Sequence, residues 1–184
     1  MQRESKRQGK IQAKFKLRPV LVPEPLWGVS ACKLLHNDRR WKAIRYAELD
    51  RAGYRCATCR ATTPRLYCHE QWHYDDRKAI ATLTAFRIAC EDCNRVLHMG
   101  WANARGDLPT ALAHLTQMNQ ITDAQAKRMF DRASATWARR SNKHWRLVVA
   151  QGLLRTYPQL KVLEGLDTHR IGPLREQQIP VIRL

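Results

Sequence analysis

Acidic side chains are scarce in this 184-residue chain: 16 Asp and Glu face 33 Lys and Arg, for a formal net charge of +17. A field of that sign attracts polyanions, and nucleic acid is the commonest of them. No apolar run approaches the length needed to cross a bilayer, and no amphipathic membrane-surface helix stands out. The lesser alternatives to nucleic acid are a solubility surface or a basic face for anionic membrane lipids. The opening Met-Gln-Arg-Glu-Ser-Lys-Arg is not followed by an apolar segment. A secretion signal is therefore not expected, and a cytoplasmic location is. Internal repeats are absent. Cysteines number only six, and in a reducing compartment they do not read as a disulfide framework.

What is present divides the chain into four stretches. Residues 1–36 read as a basic arm followed by a linker. The arm carries Arg3, Lys6, Arg7, Lys10, Lys14, Lys16 and Arg18, opposed only by Glu4, and its lack of periodicity predicts disorder in the free protein. Pro19, Pro23 and Pro25 break regular structure in the linker, and Cys32 reads as a small buried hydrophobe. Residues 37–106 form the second stretch. Asn37 or Asp38 caps a helix running to Ala52, with Trp41, Ile44, Ala47 or Glu48, and Leu49 as its stripe and Gly53 just past its end. Arg65 to Glu70 is a short strand, Trp72 to Arg77 a loop, and Ala79 to Ala89 a second strand, after which Cys90 opens a helix. Residues 107–157 are helical. Pro109 suits a first turn, and Leu108, Leu112 and Leu115 continue from it. Thr122 and Gln125 form a capping box for Ala126, Met129, Phe130, Ala133 and Trp137. Ser141 or Asn142 caps a third helix through Trp145, Leu147, Val148 and Leu154. Residues 158–184 read as an extended tail.

Chemistry concentrates between Cys56 and His98. Cys56-Ala-Thr-Cys59 and Cys90-Glu-Asp-Cys93 have the spacing that places four thiolates at the corners of a structural zinc site. Cys68-His69-Glu70 lies between the pairs, and Asn94-Arg-Val-Leu-His98 follows the second directly. If those residues open a helix, Asn94 and His98 are one turn apart on one face. The stretch thus offers one closed metal site for architecture and an open polar cluster for chemistry.

This order of residues resembles the HNH (His-Asn-His) endonucleases, and more narrowly the subgroup in which two Cys pairs fix the ββα-metal hairpin. The resemblance covers roughly residues 41 to 100. The helical stretch through Trp137 and Trp145 is similar to the extension that some bacterial and phage HNH proteins carry. What the resemblance implies is an α+β fold: a small zinc-stabilised ββα-metal, treble-clef-like core with flanking α-helices and a basic N-terminal arm. It also implies a metal-dependent DNA endonuclease that hydrolyses phosphodiester bonds, with His69 as general base. Asn94 and His98 then hold one catalytic divalent metal (Mg2+, Mn2+, Ni2+ or Zn2+) in addition to the structural Zn2+. Arg95, Lys14, Lys16 and Arg18 are the expected contacts to DNA, with RNA possible as a partner.

Two departures from the family pattern matter. The residue before the base is usually Asp or His and completes the metal shell; here it is Cys68, a poor ligand for magnesium. Either the metal is thiophilic, or Glu70, His73 or Asp75 completes the shell. Residues 71–89 also lack the Asn that steadies the base, leaving Tyr74, Asp75 or a backbone carbonyl to substitute. These departures motivate the alternative of a non-catalytic zinc-dependent nucleic-acid-binding protein with a degenerate HNH site.

Overall fold

The computed structural model describes residues 15–36 and 38–168. The expectations for Lys14 and most of the basic arm, for Asn37 as a cap, and for the tail from residue 169 onward lie outside the described residues. The described chain is mixed α+β. Its helices are α1 (Ala31–Leu34), α2 (Arg39–Arg51), α3 (Glu91–Leu97), α4 (Met99–Ala104), α5 (Leu108–Asn119), α6 (Asp123–Ser141) and α7 (Gln151–Thr156). Its strands are β1 (Leu66–Asp75), β2 (Ile80–Cys90) and β3 (Arg146–Val149), and 3-10 segments lie at Glu24–Leu26 and Pro158–Leu163. These elements fall into two compact units, residues 15–21 with Glu91–Ser134 and Val22–Cys90 with residues 135–168. Among the described residues no helix is long and apolar enough to cross a membrane.

The larger unit is built on a sheet of order β1-β2-β3. β1 and β2 form an antiparallel hairpin running from Leu66 opposite Cys90 to Asp75 opposite Ile80. At its turn the Asp75 carboxylate accepts the amides of Arg77 and Lys78, each at 3.0 Å, the short-range bonding that suits Asp to turns. The register slips between Gln71, opposite Ala85, and Trp72, opposite Leu83, so Thr84 is an extra residue on β2. Without that bulge the pleat would carry Leu83 and Ala81 to the wrong side. With it, Tyr74, Ala81, Leu83 and Phe86 share one core with Trp41 and Ile44 of α2 and with Trp145, Leu147 and Val149.

Helix α2 begins where expected, with the Asp38 carboxylate accepting the Arg40 amide at 2.7 Å. Gly53 follows its end at φ +59°, the left-handed position that glycine tolerates best. Glu48 in the apolar stripe is buried, and its carboxylate is satisfied there. One oxygen accepts the Tyr157 hydroxyl at 2.7 Å and the Arg51 guanidinium at 2.6 Å.

Four expectations are corrected. Trp72 to Asp75 is strand rather than loop, because alternation carries on past the bulge and turns Tyr74 into the core. The third helix through Trp145 and Leu147 is instead the parallel strand β3, whose residues pair from Ile80–Arg146 to Leu83–Val149. Only Gln151–Thr156 beyond it is helical. The stretch after Pro158 is no extended tail as far as it is described: Leu160 and Leu163 are fully buried, and the Trp145 amide donates to the Thr168 hydroxyl at 2.7 Å. Leu26 and Val29 likewise make the linker part of the core.

The smaller unit is helical. α3 and α4 pack on α5, and Leu97, Met99, Ala111, Leu115 and Ala126 are buried in it. Asn119 at the end of α5 clamps the extended segment at Leu17, accepting its N–H at 3.1 Å and donating to its C=O at 2.8 Å. The capping box is formed, with the Gln125 amide donating to the Thr122 hydroxyl at 3.2 Å and the Thr122 amide to the Gln125 side chain at 2.9 Å.

Glu70, on the core side of β1, accepts the Ala31 amide at 2.6 Å and the Trp72 indole at 2.9 Å. Burial nonetheless pushes its carboxyl from the ordinary 4.5 up to about 7. The folded chain thus holds this proton more tightly than the unfolded chain does. Stability contributed by the neutral carboxyl is complete at low pH and declines as pH rises from 4.5 through about 7. Urea melts across that window should show the decline in the wild type and a flatter profile in Glu70→Gln. An identical slope in the variant would assign the effect to another group.

Candidate functional site

Two turns bring four cysteines together. Gly53 and Tyr54 are left-handed, at φ +59° and +52°, and fold the chain back after α2 into Cys56-Ala57-Thr58-Cys59. The Cys56 amide donates to the Ala61 carbonyl and the Arg60 amide to the Cys56 carbonyl, both at 2.9 Å, closing a compact knuckle. A bond from the Ala57 amide to the Ile88 carbonyl at 2.8 Å fastens that knuckle to β2, two residues from Cys90. Cys90 ends β2, and Cys93 lies in the first turn of α3.

The four ligand sulfurs lie within 4.8 Å of one another, with Cys59 Sγ and Cys90 Sγ 3.5 Å apart. No disulfide joins them. Zn–S bonds of about 2.3 Å put the corners of a tetrahedral site about 3.8 Å apart, so the spacing suits one zinc ion. The Thr58 backbone amide donates to Cys56 Sγ at 3.4 Å, the kind of N–H to sulfur bond that orients a metal-bound thiolate. Cys56, Cys59, Cys90 and Cys93 therefore fit a structural zinc and would hold it. The ion would tie the knuckle to the strand–helix junction.

The chain supplies one further group that sequence reasoning missed. His114 on α5 places Nε2 3.2 Å from Cys93 Sγ. An imidazole N–H donated to a metal thiolate disperses its charge and fixes its direction. No fixed spacing from the Cys pairs announces it. The available signal was a lone histidine on the helix face that carries the buried Ala111 and Leu115.

The remaining expected residues are placed as follows. His69 is buried on β1, directly across from Arg87 on β2. Strand neighbours alternate faces, so Cys68 points the other way and packs against the hydrophobic core. Burial, with Glu48 and Glu70 adding negative charge nearby, pushes the Cys68 thiol far above its ordinary value. His73 shares the His69 face and is exposed, while Asp75 is engaged in the hairpin turn.

Asn94 lies in α3, and its carbonyl accepts the His98 amide at 2.9 Å, the one-turn relation that the spacing predicted. His98 sits at the break between α3 and α4. Burial lowers its pKa below 6.5, favouring the neutral imidazole that binds metals. Arg95 is held by Asp92 at 2.6 Å, and the Arg18 guanidinium lies over the Phe15 ring at 5.2 Å. His69 belongs to the unit containing the sheet, and Asn94 and His98 to the helical one.

No family model, curated protein or solved structure matches the chain. Metal analysis of purified protein should find one zinc per chain, lost in Cys93→Ser. His114→Ala should give up zinc to a chelator more readily, with affinity falling by about 10–100-fold. His114→Gln, which retains a donor, should recover part of it. Equal release from all three proteins would remove His114 from any role at the centre.

Proposed function

We propose that this chain is a metal-dependent DNA endonuclease of the HNH type, with a treble-clef-like zinc core. The observation that carries the reading is the order of chemistry along the folded chain. A knuckle bearing Cys56 and Cys59 leads to a β-hairpin bearing His69, and the hairpin runs without a linker into the helix bearing Cys93, Asn94 and, one turn on, His98.

In this reading His69 takes the proton from the water that attacks phosphorus, since imidazole is the side chain that accepts and returns protons near neutral pH. Its burial on a paired strand restricts the ring, and Arg87 across the hairpin supplies positive charge beside it. Asn94 and His98 offer an amide oxygen and a neutral imidazole to one divalent ion. When bound, that ion supplies Lewis acidity at the phosphate and charge compensation for the leaving oxygen. Cys68, facing the core, is left out of the metal shell. Lys16 and Arg18 meet phosphates, as does Arg95 once it exchanges Asp92 for a phosphate oxygen.

The burial of Cys68 also favours a second reading, a zinc-dependent nucleic-acid-binding protein without cleavage. With the thiol turned away, the replacements on that strand face for the family's third ligand position are the exposed His73 and also Asp75, whose carboxylate is engaged in the hairpin turn.

Nicking of supercoiled plasmid separates the two. Wild-type protein should nick with at least one of Mg2+, Mn2+, Ni2+ and Zn2+, while His69→Ala should bind DNA and leave it intact. General-base contributions of about 10²–10⁴-fold set the expected loss. Binding by both proteins with no nicking in any metal would replace the nuclease with the binding module.

A further inference from the structure

We propose that the exposed knuckle between α2 and β1 is a phosphate-binding surface for duplex DNA, with Arg55, Arg60 and Arg65 as its contacts. The proposal rests on the nucleic-acid part of the reading above and is independent of cleavage.

The stretch from Arg51 to His69 contains no acidic residue. The acids that flank it are already engaged. Glu48 is held by Tyr157 and Arg51, Asp50 accepts the Tyr54 hydroxyl, and Glu70 caps Ala31 and binds the Trp72 indole. Nothing of opposite sign in the loop therefore weakens its field.

Arg55, Arg60 and Arg65 are all exposed. The Cys56–Ala61 bond closes the knuckle and brings the chain on its two sides together, so Arg55 and Arg60 flank the same short loop. Arg60 sits at φ +64°, a backbone position where Gly or Asn is the ordinary choice. The turn itself gives no reason for arginine there. Tyr54 beside them is 48% exposed, adding a flat apolar ring at the rim. Guanidinium groups spaced along a rigid, metal-closed loop present preorganised forks to phosphate oxygens.

The competing use of these charges is to balance the centre beneath, since a zinc ion held by four thiolates is net negative. The two uses give different results.

The test is binding of the full-length, zinc-loaded chain to a short mixed-sequence duplex over a salt series. The triple variant Arg55→Gln/Arg60→Gln/Arg65→Gln is compared with Arg128→Gln/Arg132→Gln/Arg139→Gln, a charge-matched change at exposed positions of α6. Zinc content and chelator-driven zinc release are followed in parallel. For wild type, log K should fall steeply with log salt. The triple variant should lose about 0.9 of slope for each phosphate contact removed and bind at least about ten-fold more weakly near physiological salt. The α6 variant should stay close to wild type. An unchanged slope and affinity in the triple variant would overturn the proposal, and faster zinc release with an unchanged slope would give the arginines to the metal centre instead. Absence of salt-dependent duplex binding by the wild type would remove the nucleic-acid reading as a whole, a failure distinct from that of this surface.

Discussion

Backbone pairing along both edges of β2 is the constraint on which the described sheet depends. β1 runs antiparallel on one side and β3 parallel on the other. The register of the middle strand therefore decides which side chains of its neighbours reach the core. One extra residue, Thr84, corrects the phase halfway along. It lets Ile88 and Phe86 below it, and Leu83 and Ala81 above it, remain inside. The same strand ends at Cys90, so the pairing that positions the core also positions one sulfur of the four-cysteine cluster.

Consecutive residues on a strand cannot share a face, and this decides much about the site. Cys68 and His69 look in sequence like a coupled pair. In the fold, the thiol joins the core with Glu70 close by, while the imidazole lies on the opposite face across from Arg87. The core side of the hairpin thus holds the Glu70 carboxylate and the partly buried Cys68 thiol. The other side holds the buried imidazole of His69 opposite Arg87. The pleat alone separates the two sets of polar groups.

Local signals in the sequence were legible where the interactions are local. The Cys-x-x-Cys spacing, the Asp38 cap, glycine after α2, the Thr122–Gln125 box and the turn relating Asn94 to His98 each depend on residues a few positions apart. What was not legible depends on partners far away. Arg146 to Val149 carries no mark that distinguishes a strand from a helix until β2 is present to pair with it. Trp72 and Tyr74 read as loop aromatics until the bulge is known. His114 meets Cys93 only after α3 and α5 have packed. Leu160 and Leu163 look like a tail because their core is assembled from residues over a hundred positions earlier, such as Leu26 and Ile44.

The pairing of Ile80 with Arg146 has a consequence for how the chain acquires its fold. Everything from Glu91 to Ser141, a set of helices with its own buried residues, is threaded between the two partner strands. Loop closure on that scale is entropically slow, and the relative contact order is raised accordingly. On a ribosome, β2 would emerge with β1 already beside it but with its other edge bare until β3 had been synthesised. A bare edge on an apolar strand such as Ile80–Cys90 is a template for pairing with other chains. The vulnerable interval in this protein's life is thus the time between translation of β2 and that of β3, and the helices between them set its length.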